Sequence, residues 1–188
     1  MSPRFRAAAL ALVSLTLALA ADDPKPDNSW KDLLAKRLPL FGHRNWVVIA
    51  DSAYPSQSRP GIETIVTGAD QLEVVEAVLR VLGEQRHVRP NVHLDAELPH
   101  VEERDARGIA RYRARLKAML GRREIVSLPH EEVITKLDAA AAKFNVLILK
   151  TNLTLPYTSV FLELDCGYWG ADAEKRLREA MKRPPEKE

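Results

Sequence analysis

Three uninterrupted apolar runs, Trp46–Ala50, Val146–Leu149 and Val160–Leu162, constrain the fold most tightly. They lack the alternation of a half-exposed strand, so each suits a strand buried on both faces. Such a sheet needs helices above and below it, and helical patterns do separate the runs. Asp70 opens one, with Glu73 completing a capping box and Leu72, Val75, Val78, Leu79 and Leu82 supplying its apolar face up to Glu84. Further helices are predicted over residues 30–38, 101–120, 129–144 and 171–182, and further strands over 62–67, 91–94 and 124–128. The class is α/β, with a central mostly parallel or mixed sheet and helices on both faces.

The start of the chain reads differently. Arg4 and Arg6 precede an apolar run from Ala7 to Ala20, and Ala18-Leu19-Ala20 offers small residues where a signal peptidase reads. The run falls short of the ~20 residues of a membrane span, so export with cleavage is expected rather than membrane insertion. Residues 1–21 are read as a signal peptide, 22–28 as a linker and 29–170 as one α/β domain. Residues 171–188 are read as a helical or disordered C-terminal extension. The mature protein is then periplasmic or secreted. Losing Arg4 and Arg6 leaves the basic side chains equal in number to the 26 acidic ones. That balance argues against nucleic acid as a partner, which relies on summed positive charge. Cys166 is the single cysteine, so no internal disulfide can form; it reads as a small buried residue near a strand end.

In open α/β sheets, ligands gather outside the carboxyl ends of the strands. Asp51 directly follows one buried run and the segment 151–159 follows another. His43 leads into the first run, and His130 falls in the first turn of a predicted helix, whose dipole favours a neutral imidazole there. A neutral imidazole both accepts and donates, which suits moving protons between hydroxyl groups. Trp46 and Trp169 read as packing residues, and the basic cluster Arg104, Arg107, Arg111, Arg113 and Arg115 as a solvated helix face. His87, His93 and His100 follow no metal-ligand spacing.

The order of these features along the chain resembles a known family. Phe41-Gly42-His43, the apolar run, then Asp51-Ser52-Ala53-Tyr54-Pro55 resembles the opening motif of the RbsD/FucU family, the ribose pyranases and fucose mutarotases. Lys150-Thr151-Asn152-Leu153-Thr154-Leu155-Pro156-Tyr157-Thr158-Ser159, followed by Val160-Phe161-Leu162, is similar to its closing motif. Pro129-His130-Glu131-Glu132 matches the place of a His before a helix in the pyranases, and Ala110-Arg111-Tyr112-Arg113 is similar to a helix of the fucose enzymes. The resemblance runs from Leu34 to Gly167.

The resemblance implies a monosaccharide ligand and interconversion of sugar ring forms or anomers by general acid–base catalysis, without metal or organic cofactor. It implies His43 as proton shuttle and Asp51 as its partner or a hydroxyl ligand. His130, Tyr157, Ser159 and Lys150 would bind substrate. It also implies a homo-oligomer, a pentamer or decamer, with sites near subunit contacts. Three positions depart from the pattern: Asn152-Leu153 stands for Gly-Glu, and Ser159 for Asn. The alternative is therefore a non-catalytic sugar-binding or oligomeric assembly protein that retains the fold.

Overall fold

The computed structural model describes residues 29–182; the expected signal peptide and linker lie outside the described residues, as does 183–188. Six strands form one mixed sheet: β1 (Trp46–Ala50), β2 (Ile62–Val66), β3 (Val88–Asp95), β4 (Ile125–Leu128), β5 (Val146–Lys150) and β6 (Val160–Cys166). Their order is β2-β5-β1-β6-β3-β4. Strand β6 is antiparallel to both β1 and β3, whereas the β1–β5, β2–β5 and β3–β4 pairs are parallel. The three apolar runs thus become the three adjacent central strands β5, β1 and β6, fully buried where they are apolar, as two-sided cover demands.

Helices α1 (Ser29–Arg37), α2 (Gln71–Glu84) and α3 (Ile109–Leu120) cover one face. There Val47, Ile49, Leu147, Leu149 and Leu162 meet Leu34, Val75, Val78, Leu82 and Leu116. Helix α4 (His130–Ala141) covers the other face through Val133 and Leu137, both with no exposed surface, packed on Val48, Ile148 and Phe161. Burying each of those two side chains is worth about 1.5–3 kcal/mol. The cap on α2 forms as the sequence predicts: Asp70 accepts the Leu72 and Glu73 amides at 2.9 and 3.3 Å.

The predicted helix over 101–120 begins eight residues late. Gly108 takes φ +95°, a left-handed conformation that ends the preceding turns, and Glu103 accepts the Gly108 and Ala110 amides at 2.6 and 3.0 Å. These backbone contacts hold the Glu103 carboxyl below its usual range. Arg113, expected on a solvated face, donates instead to the Leu98, Pro99 and Val101 carbonyls at 2.7–3.1 Å. Strand β6 extends four residues past the predicted run, because Glu163 and Asp165 on its α4-side face meet polar partners from β3. Residues 171–180 form helix α5, which buries none of its side chains. No helix among the described residues is long and apolar enough to cross a membrane.

Candidate functional site

The carboxyl ends of β1, β5 and β3 and the start of β6 meet along one edge of the sheet. The pairs Ile49–Val160 and Leu94–Val160 set Ser159 level with Asp95, one step beyond the paired residues, and Asp51 one residue further along the β1 side. Neighbouring strands stand about 4.8 Å apart, so the three residues span roughly two strand spacings.

Asp51 uses both carboxylate oxygens. Oδ1 accepts the Ala53 amide at 2.9 Å in a tight turn, and Oδ2 accepts the Ser159 hydroxyl at 3.3 Å. Ser159 is buried, so it supports Asp51 from behind. Tyr54, three residues after Asp51, folds back into the α4-side core and donates its hydroxyl to Gln57 Oε1 at 3.1 Å. Burial pushes the Tyr54 hydroxyl far above its usual pKa, and the Asp95 and Asp51 charges add to this. It therefore stays protonated at neutral pH.

His130 is the first residue of α4. Its backbone N–H donates to Glu97 at 3.1 Å, and its Nδ1 lies 3.0 Å from Asp95 Oδ1. The negative charges of Asp95 and Glu97 thus stand against the positive end of the α4 dipole. Tyr157 meets the imidazole edge to face, with ring centroids 5.8 Å apart and planes at 82°. Its φ of +55° is left-handed, which is uncommon for a bulky residue.

A buried polar network holds that turn. Tyr112 donates to the Thr158 carbonyl at 2.7 Å, and Gln71 Nε2 donates to the same carbonyl and to the Tyr112 hydroxyl. Thr151 Oγ1 lies 3.2 Å from Gln71 Oε1. Lys150 ends β5 beside Ala50 and Val66. Asn152, one of the departures from the family pattern, pins this loop by donating its side-chain N–H to the Gly68 carbonyl at 2.6 Å. Leu153 packs on the α1–α3 core.

His43 is elsewhere. It precedes β1, so the whole five-residue strand, about 16 Å at ~3.3 Å per residue, separates it from Asp51. Within one chain the two cannot act on the same hydroxyl. His43 lies instead in a groove of about 570 Å³ with Arg44, Arg89, Glu163, Asp165 and Trp169. Trp169, read from sequence as packing, is 42% exposed and donates its indole N–H to Glu174 at 2.7 Å. Cys166 is half-buried in this groove and carries no disulfide. Burial opposes the Asp165 charge, yet Arg89, the Cys166 amide and His43 hold its pKa below the usual range. Trp46 is buried and packs on His93, with ring centroids 5.1 Å apart.

Asp51, His130, Tyr157, Ser159 and Lys150 therefore share one sheet edge, and His43 stands at the other. Sequence reasoning missed Asp95, Glu97 and Tyr54. The pattern Asp95-Ala96-Glu97 just after a strand, and an aromatic in an otherwise polar loop, were the available signals. Among the described residues no group of three or more His, Cys, Asp or Glu is arranged to hold a metal ion. The arrangement can accept and return a proton at His130 and hold hydroxyl groups beside it.

No protein-family model matches the sequence, and no curated protein does. Solved structures do match. The fucose mutarotase of Streptococcus pneumoniae, in complex with L-fucose, superposes with a TM-score of 0.50 at 20% identity, over 73% of this chain and 94% of that one. The fold is RbsD/FucU-like. Bacillus subtilis RbsD complexed with D-ribose matches at 25% identity over 73% of this chain and 93% of that chain, with a TM-score of 0.48. FucU from Bifidobacterium longum matches at 21% identity over 70% and 92%, with a TM-score of 0.48.

Proposed function

We propose that the protein is a monosaccharide mutarotase or pyranase-like isomerase, acting outside the cytoplasm after its signal peptide is removed. The observation that carries this reading is the gathering of Asp51, His130 and Tyr157 at one edge of an RbsD/FucU-like sheet. Ring opening breaks the bond between the anomeric carbon and the ring oxygen. A base takes the anomeric hydroxyl proton as an acid protonates the ring oxygen, and the roles reverse on closure. Help of this kind is worth about 10²–10⁴-fold, enough for a reaction that already proceeds in water.

His130 supplies one of the two proton-transfer groups. His43 supplies the other from a second copy of the chain, since its own strand holds it away from its own Asp51. A homo-oligomer is thus part of the mechanism. Tyr157 forms a hydroxyl-bearing wall, and Asp51, fixed by Ser159, orients a sugar hydroxyl. Lys150 lies at the neighbouring strand end as a further polar contact.

One observation favours a second reading, a sugar-binding or assembly protein without turnover. Both oxygens of Asp51 are engaged within the chain, and the Ser159 hydroxyl faces Asp51. Saturation-transfer NMR with ribose, fucose, galactose and glucose separates the two. Accelerated ring-form exchange for one sugar supports the isomerase; saturation transfer without acceleration supports the binding protein. Neither signal across the panel would overturn the sugar reading for those sugars.

A further inference from the structure

Asp95 and Glu97, two residues apart, both close on His130. Glu97 accepts its backbone N–H at 3.1 Å, and Asp95 Oδ1 lies 3.0 Å from ring atom Nδ1. One short segment at the end of β3 therefore fixes both the main chain and the ring of the first residue of α4. The Asp95 side chain has no exposed surface, whereas that of His130 keeps 27%. The ring thus stays open to the site on an edge that Asp95 does not cover.

The second oxygen of Asp95, Oδ2, is buried with no hydrogen-bond partner among the described residues. So is Nδ1 of His93, two residues earlier on the same face of β3, whose Nε2 lies 3.2 Å from Glu163 Oε2. A buried carboxylate with one unmatched oxygen costs stability, and an apolar residue of similar volume would serve the fold as well or better. Burial accordingly pushes the Asp95 carboxyl up from its usual pKa, against the opposing pull of the His130 contact. A group that is costly to the fold yet aimed at a site histidine calls for a role at that histidine.

We infer that Asp95 is the positioning residue of this site: its carboxylate locks His130 in the Nδ1–H tautomer, leaving Nε2 as the one lone-pair nitrogen. An ionised carboxylate only accepts hydrogen bonds, so the ring nitrogen facing it must carry the proton. Without the lock, a neutral imidazole can place its proton on either nitrogen, and the Nε2–H form cannot accept from a hydroxyl at that atom. The tautomer lock stands independently of the substrate; its kinetic consequence rests on the sugar-isomerase reading.

The test is a long-range ¹H–¹⁵N histidine spectrum of the sugar-free, full-chain protein at a pH above the imidazole titrations, with His130→Gln identifying the His130 signals. The expected result is a protonated Nδ1 and an unprotonated Nε2, and a shift toward the Nε2–H form in Asp95→Asn. An Nε2–H tautomer in the wild type would overturn the inference, as would an unchanged spectrum in Asp95→Asn. If Asp95→Asn fails to fold, the wild-type spectrum alone decides. With a sugar that exchanges, Asp95→Asn lowers kcat by about 10²-fold or more and leaves KM within about threefold. A loss carried by KM instead would reduce Asp95 to a packing role. A locked tautomer in a protein that accelerates no sugar would leave the lock standing and count against the isomerase reading.

Discussion

Asp95 holds His130 at 3.0 Å from a position with no exposed side-chain surface, so the site histidine leans on a charge that the fold would rather not bury. That relationship has a signature in stability. Burial raises the Asp95 pKa in the folded state, outweighing the His130 contact that lowers it. Below the unfolded value of about 3.9 the group is protonated in both states, and its contribution is fully present. As pH rises through the raised folded value, that contribution is lost. Asparagine has no such titration. Asp95→Asn should therefore gain Tm relative to the wild type as pH rises from below 4 toward neutrality. A difference in Tm that stays constant with pH would contradict this.

Gln71 is fully buried and links Thr151, Tyr112 and the Thr158 carbonyl. Gln71→Leu leaves Thr158 O with Tyr112 alone and removes the amide contacts of both Tyr112 and Thr151. The expected loss is about 1–3 kcal/mol by denaturant unfolding, because buried polar groups lose partners. Because the same network holds the turn that carries Tyr157, ligand-induced shifts of the Tyr157 ring should weaken as well. Unchanged stability would show the network to be dispensable.

Glycine positions give a matched contrast. A Cβ on Gly61 would crowd the carbonyl oxygen of Ala141, the last residue of α4, and lie 2.6 Å from that of Phe144 just beyond it. Gly61→Ala should cost about 1–3 kcal/mol, as overpacking does. A Cβ on Gly83, inside α2, meets nothing within 4 Å. Gly83→Ala should gain about 0.5–1 kcal/mol from helix propensity. Equal effects from the two substitutions, read by urea unfolding, would contradict the close packing of the 61–62 turn on α4.

If His43 serves a neighbouring copy, two damaged chains can repair each other. His43→Ala and His130→Gln should each lose ring-form exchange when pure. Mixed, denatured together and refolded, they should recover part of it, since some sites pair an intact His43 with an intact His130. No recovery in assembled mixtures would place both histidines outside a shared site.

Much of this molecule is written in local patterns. The runs Trp46–Ala50 and Val146–Leu149 show two-sided burial directly, and the Asp70–Glu73 cap marks the start of α2. The late start of α3 was not visible, because Ile109, Tyr112 and Leu116 continue a helical period that Gly108 and Glu103 interrupt from its N-terminal side. Post-strand position singled out Asp51 in the sequence, and a place in the first turn of a predicted helix singled out His130. Asp95 was hidden because a lone Asp at a strand end looks like any turn residue. Only the return of the chain through β4 and α4 brings His130 over it. The separation of His43 from Asp51 follows from strand length alone, yet motif reading joins them because they are close in sequence.

The most direct test of the account is the rate of ring-form exchange, read by saturation-transfer NMR across the four aldoses, in the wild type and in His130→Gln. The account predicts acceleration for at least one sugar, and its loss in His130→Gln by about 10²-fold or more with the fold intact. Exchange that proceeds equally well without the His130 imidazole would contradict the placement of the chemistry at this edge of the sheet. No acceleration of any of the four sugars by the wild type would contradict the isomerase reading itself.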